Sequence, residues 1–350
     1  MERKNIHNEE LEMTGAFVAF HNSWKGAAWM GDLQRKFDET MGKDNRILST
    51  VKLDDNAQDV LYNHPEINRL FAGLLDSYDD LPYRPDTAFD YGWRAFEILM
   101  SMFSEHFNWQ PKESMSKMFS DICGIITGHF ANNNDMSAII RNLNEHCPIS
   151  GINFMLQRLV NTDLLFEPDD ITKVKDTLIV EEQYEYVAKR VANAMGKEFY
   201  NDFCEKYYRQ DQIPYKNGMV TVNIDLEPNN KRRACLLIKK YFITEQKITL
   251  LKEYDAFTTA KVMELIISGI LYTSRCYRFH GDYFSPFKSN RSSLAHYYEY
   301  YYFLIYTYAM FWYLLYCFLN INGIEKFFSL DAVNECVERS LKKLDKLPNA

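Results

Sequence analysis

The sequence predicts a mainly α-helical protein, an all-α fold built as a helical bundle, and three observations predict this class. Apolar residues recur at intervals of three and four positions over most of the chain. The composition supplies many core-filling side chains, 24 Tyr and 24 Phe, against few turn-formers, 14 Gly and 10 Pro. Several apolar runs also carry helix start or stop signals, such as Asp86 before one run, and Pro111 and Pro148 after two others.

The helical periodicity divides the chain into segments. The predicted helices are, in chain order, 10–22, 55–77, 87–107, 113–130, 136–146, 150–162, 170–210, 245–280, 293–321 and 330–345. Residues 218–241 are the exception, because GMVTVNIDL and RACLLIKKYF alternate apolar and polar positions around the turn-forming EPNNKR. We therefore expect a small β-hairpin there.

Linker composition places a domain boundary near residue 215. The strongest linker signals are QIPYKNG at 212–218 and EPNNKR at 227–232. A chain of 350 residues is long enough for two medium domains. We expect a helical N-terminal domain over 1–215 and a C-terminal domain over 216–350.

Charge and cysteine content exclude several classes of protein. The net charge of −8 argues against a surface that coats nucleic acid, because phosphate binding needs accumulated Lys and Arg. Any such contact must be local. The seven cysteines are scattered and form no C-x-x-C pair, so neither a disulfide framework nor a zinc knuckle is expected. With no apolar leader at the N-terminus, a cytoplasmic location fits best.

Residues 301–319 are nineteen in a row without a formal charge, which approaches the length of a membrane span. Six of the nineteen are Tyr, whose hydroxyls would lack partners inside a bilayer. We therefore expect a buried core helix in a soluble protein without a membrane partner, and a membrane-associated effector that uses 301–319 is the alternative.

The sequence contains no glycine-rich phosphate loop, no zinc-ligand spacing and no G-x-S-x-G. One polar pattern does recur. It is an Arg followed five positions later by a His, and it occurs as Arg141–His146, Arg275–His280 and Arg291–His296. Such a pair suits metal-free RNA scission, in which the ribose 2′-hydroxyl attacks the adjacent phosphate. His exchanges the proton, and Arg bridges phosphate oxygens as negative charge builds. DNA lacks this nucleophile, and no cofactor or metal is required.

The surroundings of the three pairs differ. Arg275 lies in the last turn of a strongly apolar predicted helix, and His280 lies at its end, before Gly281. Over 272–293 the basic residues outnumber the single acid, Asp282, which predicts a local positive patch for RNA. The basic residues of this patch are Arg275, Arg278, Lys288 and Arg291. We interpret Arg291 as patch charge and His296 as a helix-start residue.

The stretch ILYTSRCYRFHG (270–281) resembles the R-x4-H signature of the HEPN superfamily, helical ribonucleases of toxin–antitoxin, abortive-infection and CRISPR-associated systems. The resemblance covers about 250–320, and it implies a helical bundle, dimerisation through the motif face and metal-independent RNA cleavage. By this resemblance Arg275 is the motif Arg and His280 the motif His, while Cys276 stands where the family often has Asn, Asp or His. An effector role in prokaryotic antiviral defence or a toxin system is implied by the resemblance alone.

Arg141–His146 is similar to the same signature in its polar second residue, Asn142, and resembles the nuclease segment of kinase-extension nucleases. It would make 1–215 a second HEPN-like unit, while a sensor or a scaffold are the alternatives. Two further alternatives remain, one for the function of the whole chain and one for the role of the Arg275–His280 motif. In the first, the chain is a non-catalytic HEPN-like scaffold or regulatory subunit of a defence complex, with a partner protein in place of RNA. In the second, Arg275 and His280 are cations that complement the macrodipole at a helix C-terminus and take no part in catalysis.

Overall fold

The computed structural model describes residues 30–55, 57–106, 115–163, 166–167, 170–174, 182–207, 212–214, 220–222, 227–279, 285–288, 292–324 and 327–349. The helices of this part of the chain are α1 (Met30–Met41), α2 (Ala57–Asn63), α3 (Pro65–Asp79), α4 (Pro85–His106), α5 (Met115–His129), α6 (Asn134–Glu145), α7 (Ile149–Asp163), α8 (Glu182–Met195), α9 (Lys197–Tyr207), α10 (Glu227–Tyr241), α11 (Thr259–Glu264), α12 (Tyr272–Phe279), α13 (Leu294–Ile321) and α14 (Leu330–Leu344). Helix dominates, which confirms the predicted all-α class.

Short elements complete the described fold. Three antiparallel two-stranded pairs are formed by β1 (Phe166–Glu167) with β2 (Asp170–Val174), β3 (Gln212–Pro214) with β4 (Val220–Val222), and β5 (Ile248–Thr249) with β6 (Glu253–Tyr254). A π-helical segment, Leu265–Leu271, joins α11 to α12, and Pro286–Lys288 forms a 3₁₀ turn.

The chain forms two compact units, one from 1–107 with 275–350 and the other from 108–274. This division differs from the predicted boundary near 215, which falls inside the second unit. The reason is tertiary packing: α13 packs along α4, which precedes it by almost two hundred residues. Linker composition cannot report such a contact.

The core of the first unit is built around α13, which packs against α4, α14 and α1. Residues 301–319 are buried almost throughout, which confirms the predicted core helix. Tyr301 donates its hydroxyl to the Pro82 carbonyl at 2.7 Å. Tyr308 accepts from the Val51 N–H at 3.1 Å and from the Tyr78 hydroxyl at 3.2 Å. Tyr301 and Tyr308 thus find inside the unit the partners that hydrocarbon would deny them.

Among the described residues, α13 is the helix that is long and apolar enough to cross a membrane, judged by length and composition only. However, 94% of its apolar window is buried inside the protein. A buried core helix meets the same two criteria, so they are weak evidence for a span.

The second unit packs α7 against α8 and α10, and packs the π-helical segment against α8. Gly269 permits this close approach, since a Cβ at that position would lie 2.6 Å from Met155 Sδ. Arg190 of α8 is buried and donates to the Ser268 carbonyl at 3.2 Å and to Thr273 Oγ1 at 3.1 Å. It thereby joins the π-helical segment to the start of α12, where regular α geometry resumes.

The predicted hairpin over 218–241 is wrong in its second half. Strand β4 pairs with β3, which precedes it, and residues 227–241 form helix α10. The buried positions of α10 follow the helical rather than the strand period. These positions are Ala234, Cys235, Ile238 and Tyr241. Pro228 is the second residue of the helix, where proline is tolerated because its missing N–H has no intrahelical partner.

Other helix predictions need smaller corrections. The predicted helix 170–210 starts with strand β2, and Gly196, at φ +88°, separates α8 from α9. The predicted helix 245–280 is wrong at its start, because the β5–β6 hairpin occupies 248–254 and helix begins only at Thr259. The predicted helix 10–22 lies outside the described residues, and α1 was not predicted.

Candidate functional site

Arg275 lies on α12, in the first unit, and is held by a carboxylate. Its Nη2 donates to Glu97 Oε2 of α4 at 3.0 Å. The guanidinium carbon also lies 4.1 Å from the centroid of the Phe279 ring, one turn further along α12. The Arg275 side chain is 21% exposed and Phe279 is 56% exposed. The guanidinium is therefore fixed in orientation at a solvent-accessible edge of the helix.

Arg278, one turn after Arg275, is buried in a carboxylate network. Its Nη2 lies 2.6 Å from Asp90 Oδ2 and 3.3 Å from Asp86 Oδ2, and its side chain is only 9% exposed. Asp86 is fully buried and also accepts from Arg84 Nε at 2.9 Å and from Ser285 Oγ at 2.5 Å. Two arginines and two aspartates therefore neutralise each other inside the unit.

The two aspartates differ in pKa. Burial favours the neutral form of Asp86, but the hydrogen bonds from Arg84 and the charge of Arg278 outweigh it and hold its pKa below the ordinary value. Burial raises the pKa of Asp90, and its hydrogen bonds to Arg278 offset this only in part. Asp86 is therefore the more firmly ionised partner of the network.

These contacts correct the predicted positive patch over 272–293 at two of its four cations, Arg275 and Arg278. Arg275 and Arg278 are basic neighbours in the sequence, but each faces an acid of α4. The local charge balance of a sequence window misses acids that lie almost two hundred positions away. Phosphate would have to compete with Asp86 and Asp90 for Arg278, which the buried geometry disfavours.

Three of the predicted site residues have no described side chain. His280 and Arg291 lie outside the described residues. Lys288 ends the 3₁₀ turn, and only its backbone is described. Their predicted roles stay predictions, as does the pairing of His280 with Arg275.

The second predicted pair, Arg141 and His146, lies at the end of α6 in the second unit. His146 is the residue that caps this helix, and its Nδ1 lies 2.8 Å from the carbonyl oxygen of Asn142. Arg141 Nη1 lies 2.5 Å from Glu245 Oε1, and its Nε lies 3.5 Å from Glu145 Oε1. The structure thus places His146 where the helix ends, but directs Arg141 to two carboxylates.

Lys239 of α10 closes the same end of α6. Its Nζ donates to the carbonyls of Glu145 and Cys147, on either side of His146. Burial lowers the pKa of this ammonium group. Lys239 therefore satisfies carbonyls that the end of a helix leaves without intrahelical partners.

The structure confirms the prediction that His296 is a helix-start residue. It is the third residue of α13, and its Nδ1 accepts from the Ser293 N–H at 3.1 Å. Burial lowers the pKa of His296. This contact resembles a capping box, with His in the place usually taken by Glu or Gln.

The acidic stripe of α4 was not predicted, although the sequence carries a signal for it. Asp86, Asp90 and Glu97 are spaced by four and seven positions, which places them within about 40° of one another on a helix. A row of acids on one helix face predicts that the element packed against it carries cations, because carboxylates that lose water need a partner of opposite charge. The stripe supplies all the described carboxylates that hold Arg275 and Arg278.

Two other surfaces of the first unit bear on function. The aromatic residues of α13 are buried in the core of this unit, so they do not offer an exposed apolar surface. A cleft of about 580 Å³ lies between the end of α13 and the start of α14, lined by Tyr316, Asn320, Phe328 and Asp331 among others. Its lining includes none of the predicted site residues.

Comparison with known proteins identifies no relative of this chain, since no family model, no curated protein and no solved structure matches it. Functional inference therefore depends on the residues themselves. The described chemistry at α12 is one oriented, partly exposed guanidinium, five positions before a histidine. Such a group can bind an anion and stabilise developing charge.

Proposed function

We propose that this chain is a metal-independent, HEPN-like endoribonuclease that acts as an effector in prokaryotic antiviral defence or in a toxin system. The observation that supports it is the state of Arg275: Glu97 engages its Nη2 at 3.0 Å, while the side chain remains 21% exposed. A preoriented cation of this kind suits the transition state of RNA scission.

In the proposed reaction, His280 removes the proton from a ribose 2′-hydroxyl, whose oxygen then attacks the neighbouring phosphorus. Arg275 stabilises the negative charge on the non-bridging oxygens. The bond to the 5′-oxygen breaks, that oxygen takes up a proton from water, and His280 later releases the proton it removed. The products are a 2′,3′-cyclic phosphate and a 5′-hydroxyl, so the substrate is RNA and not DNA.

The decisive experiment is incubation of the purified protein with RNA in EDTA. We expect cleavage by the wild type and a fall of roughly 10²-fold or more in His280→Ala and in Arg275→Ala. Arg339→Ala is the matched control, because Arg339 is an exposed arginine of the same unit whose ion pair, to Glu335, is solvent-exposed. Equal activity of wild type and His280→Ala would reject this site, and 3′-hydroxyl ends would reject the chemistry.

A second candidate function is a non-catalytic helical scaffold or regulatory subunit. It is favoured by the ion pairs of Arg278 and Arg141, whose charges are matched by acids within their own units. On this proposal no variant alters RNA, and Arg275→Ala affects only stability or assembly. The assay in EDTA therefore separates the two candidates.

A further inference from the structure

Helix α10 presents a row of cations to solvent. Its fifteen residues include five bases, Lys231, Arg232, Arg233, Lys239 and Lys240, against one acid, Glu227. The chain as a whole carries a net charge of −8, so this helix departs sharply from the average. We define its three exposed cations, Arg232, Arg233 and Lys240, as the α10 stripe.

The stripe is ordered by the helix and is not a solvated turn. Arg232, Arg233 and Lys240 fall within an arc of about 100°, with Leu236 between them. The opposite arc holds the buried residues of α10, including Ala234 and Ile238, which are 0% exposed. The stripe faces solvent because the other side of the helix packs into the second unit.

The five bases of α10 differ in how they are used. Lys239 is bound to the carbonyls at the end of α6. The three cations of the stripe have no ion pair with any residue in the described part of the chain. Arg141 pairs with both Glu145 and Glu245, two acids near the end of α10. The stripe therefore keeps its charge available.

Helix stabilisation does not account for this arrangement. A cation complements the macrodipole in the last turn, as Lys240 does. Arg232 and Arg233 are the sixth and seventh of fifteen residues, well before that turn. Their placement gains no dipole energy, and three cations that are unpaired among the described residues lie on one exposed face, so an external anion is a suitable partner.

We infer that the α10 stripe binds the sugar–phosphate backbone of a single RNA strand. The choice of RNA rests on the proposed function. Arg232 and Lys240 are separated by about 12 Å along the helix axis, which matches three to four stacked nucleotides at about 3.4 Å each. Two arginines in the row can each hold a phosphate through two parallel hydrogen bonds.

A protein partner or a membrane surface would fit the α10 stripe less well than RNA. A protein partner would need an apolar centre in the interface, and the exposed apolar side chain of the stripe is Leu236 alone, 49% exposed. A membrane-binding helix inserts its apolar face, but that face of α10 is already buried in the unit. A strand of phosphates needs only the cations themselves.

The test is equilibrium binding of a fluorescent 2′-O-methyl oligouridine, which RNA scission by the 2′-hydroxyl cannot cleave. The variant is Arg232→Gln, Arg233→Gln, Lys240→Gln. The control variant is Lys36→Gln, Lys43→Gln, Lys342→Gln, which removes the same charge from exposed lysines of the first unit. We expect the Kd of the stripe variant to rise at least tenfold, and the slope of log K against log salt to fall by about 2.

The control variant should bind within about twofold of the wild type. Equal weakening of both variants would show a non-local charge effect and overturn the inference. Binding of the wild type to phosphatidylserine vesicles or to polyglutamate, but not to the oligonucleotide, would also overturn it. Stripe-dependent binding without cleavage of natural RNA would sustain the inference and reject the proposed nuclease.

Discussion

Arg278 and Asp90 form a buried ion pair, with Nη2 and Oδ2 only 2.6 Å apart. Asp86, which is fully buried, contacts the same guanidinium at 3.3 Å. Because α12 and α4 are far apart in the chain, this pair joins two elements that the sequence does not place together. It gives Arg278, two residues before His280, a structural role.

Removal of the cation should therefore destabilise the protein strongly. In Arg278→Met, Asp86 and Asp90 lose a buried partner, and we expect a loss of about 3–5 kcal/mol in the free energy of unfolding. Urea unfolding monitored by circular dichroism measures it. Arg94→Met is the control, because Arg94 is an exposed arginine of α4 and should cost less than about 0.5 kcal/mol. Similar values for both variants would contradict a structural role for Arg278.

Glu97 should act as a positioning residue for Arg275. In Glu97→Gln the hydrogen bond can persist but the ion pair is lost, so the guanidinium samples more orientations. We expect the rate of RNA cleavage to fall about tenfold, with the thermal midpoint nearly unchanged, because the pair is partly exposed. Glu105→Gln, an exposed change on the same helix, should leave the rate as it is. An unchanged rate in Glu97→Gln would remove Glu97 from the site.

The sequence predicted elements whose signal is local and missed relationships that are tertiary. For the long aromatic helix the periodicity predicted 293–321, and the structure has Leu294–Ile321. At 227–241 the same local information misled, because short apolar runs fit both periods and EPNNKR looks like a turn.

The candidate site shows the same limit. The spacing of Arg275 and His280 was visible in the sequence, but the partner of Arg275, Glu97, lies 178 positions away. A pattern within one segment cannot tell a phosphate-facing arginine from one already paired. The acids at 86, 90 and 97 were detectable as a stripe, but not the helix that they face.

His296 should make stability depend on pH. Its pKa is lowered in the folded protein, so the unfolded chain takes up the proton first as the pH falls. Stability should therefore be fully present above about pH 6.5 and decline as the pH falls from there toward the lowered folded pKa. His296→Gln keeps an acceptor for the Ser293 N–H but cannot titrate. Urea midpoints at pH 7.5 and 5.5 should differ less in this variant, and an identical pH dependence would contradict the assignment.

Tyr308 tests whether α13 belongs to the interior of a soluble protein. Tyr308→Phe leaves the buried Val51 N–H without its acceptor and removes the contact with Tyr78, so we expect a loss of about 1–3 kcal/mol. Tyr62→Phe is the control, because Tyr62 is 86% exposed and should have almost no effect. We also expect the wild type in the soluble fraction of a cell lysate. Recovery only with detergent would contradict a core role for α13.

Phe279 should contribute to a dimer that completes the site. A spacing of five residues separates two side chains by about 140° on a continuous helix, so we expect one motif to be an incomplete site and a symmetric pair to bring two of each residue to one cleft. The aromatic residues of α13 are buried, so the exposed apolar group beside Arg275 is Phe279, 56% exposed. We expect wild type to scatter light as a dimer, and Phe279→Ser to be monomeric and at least tenfold less active, whereas Tyr62→Ser stays dimeric.

If the second motif completes the site within one chain instead, a monomer is active and His146→Ala inactivates it. An active monomer that tolerates His146→Ala would defeat both arrangements, because neither source of a second Arg–His pair would then be needed.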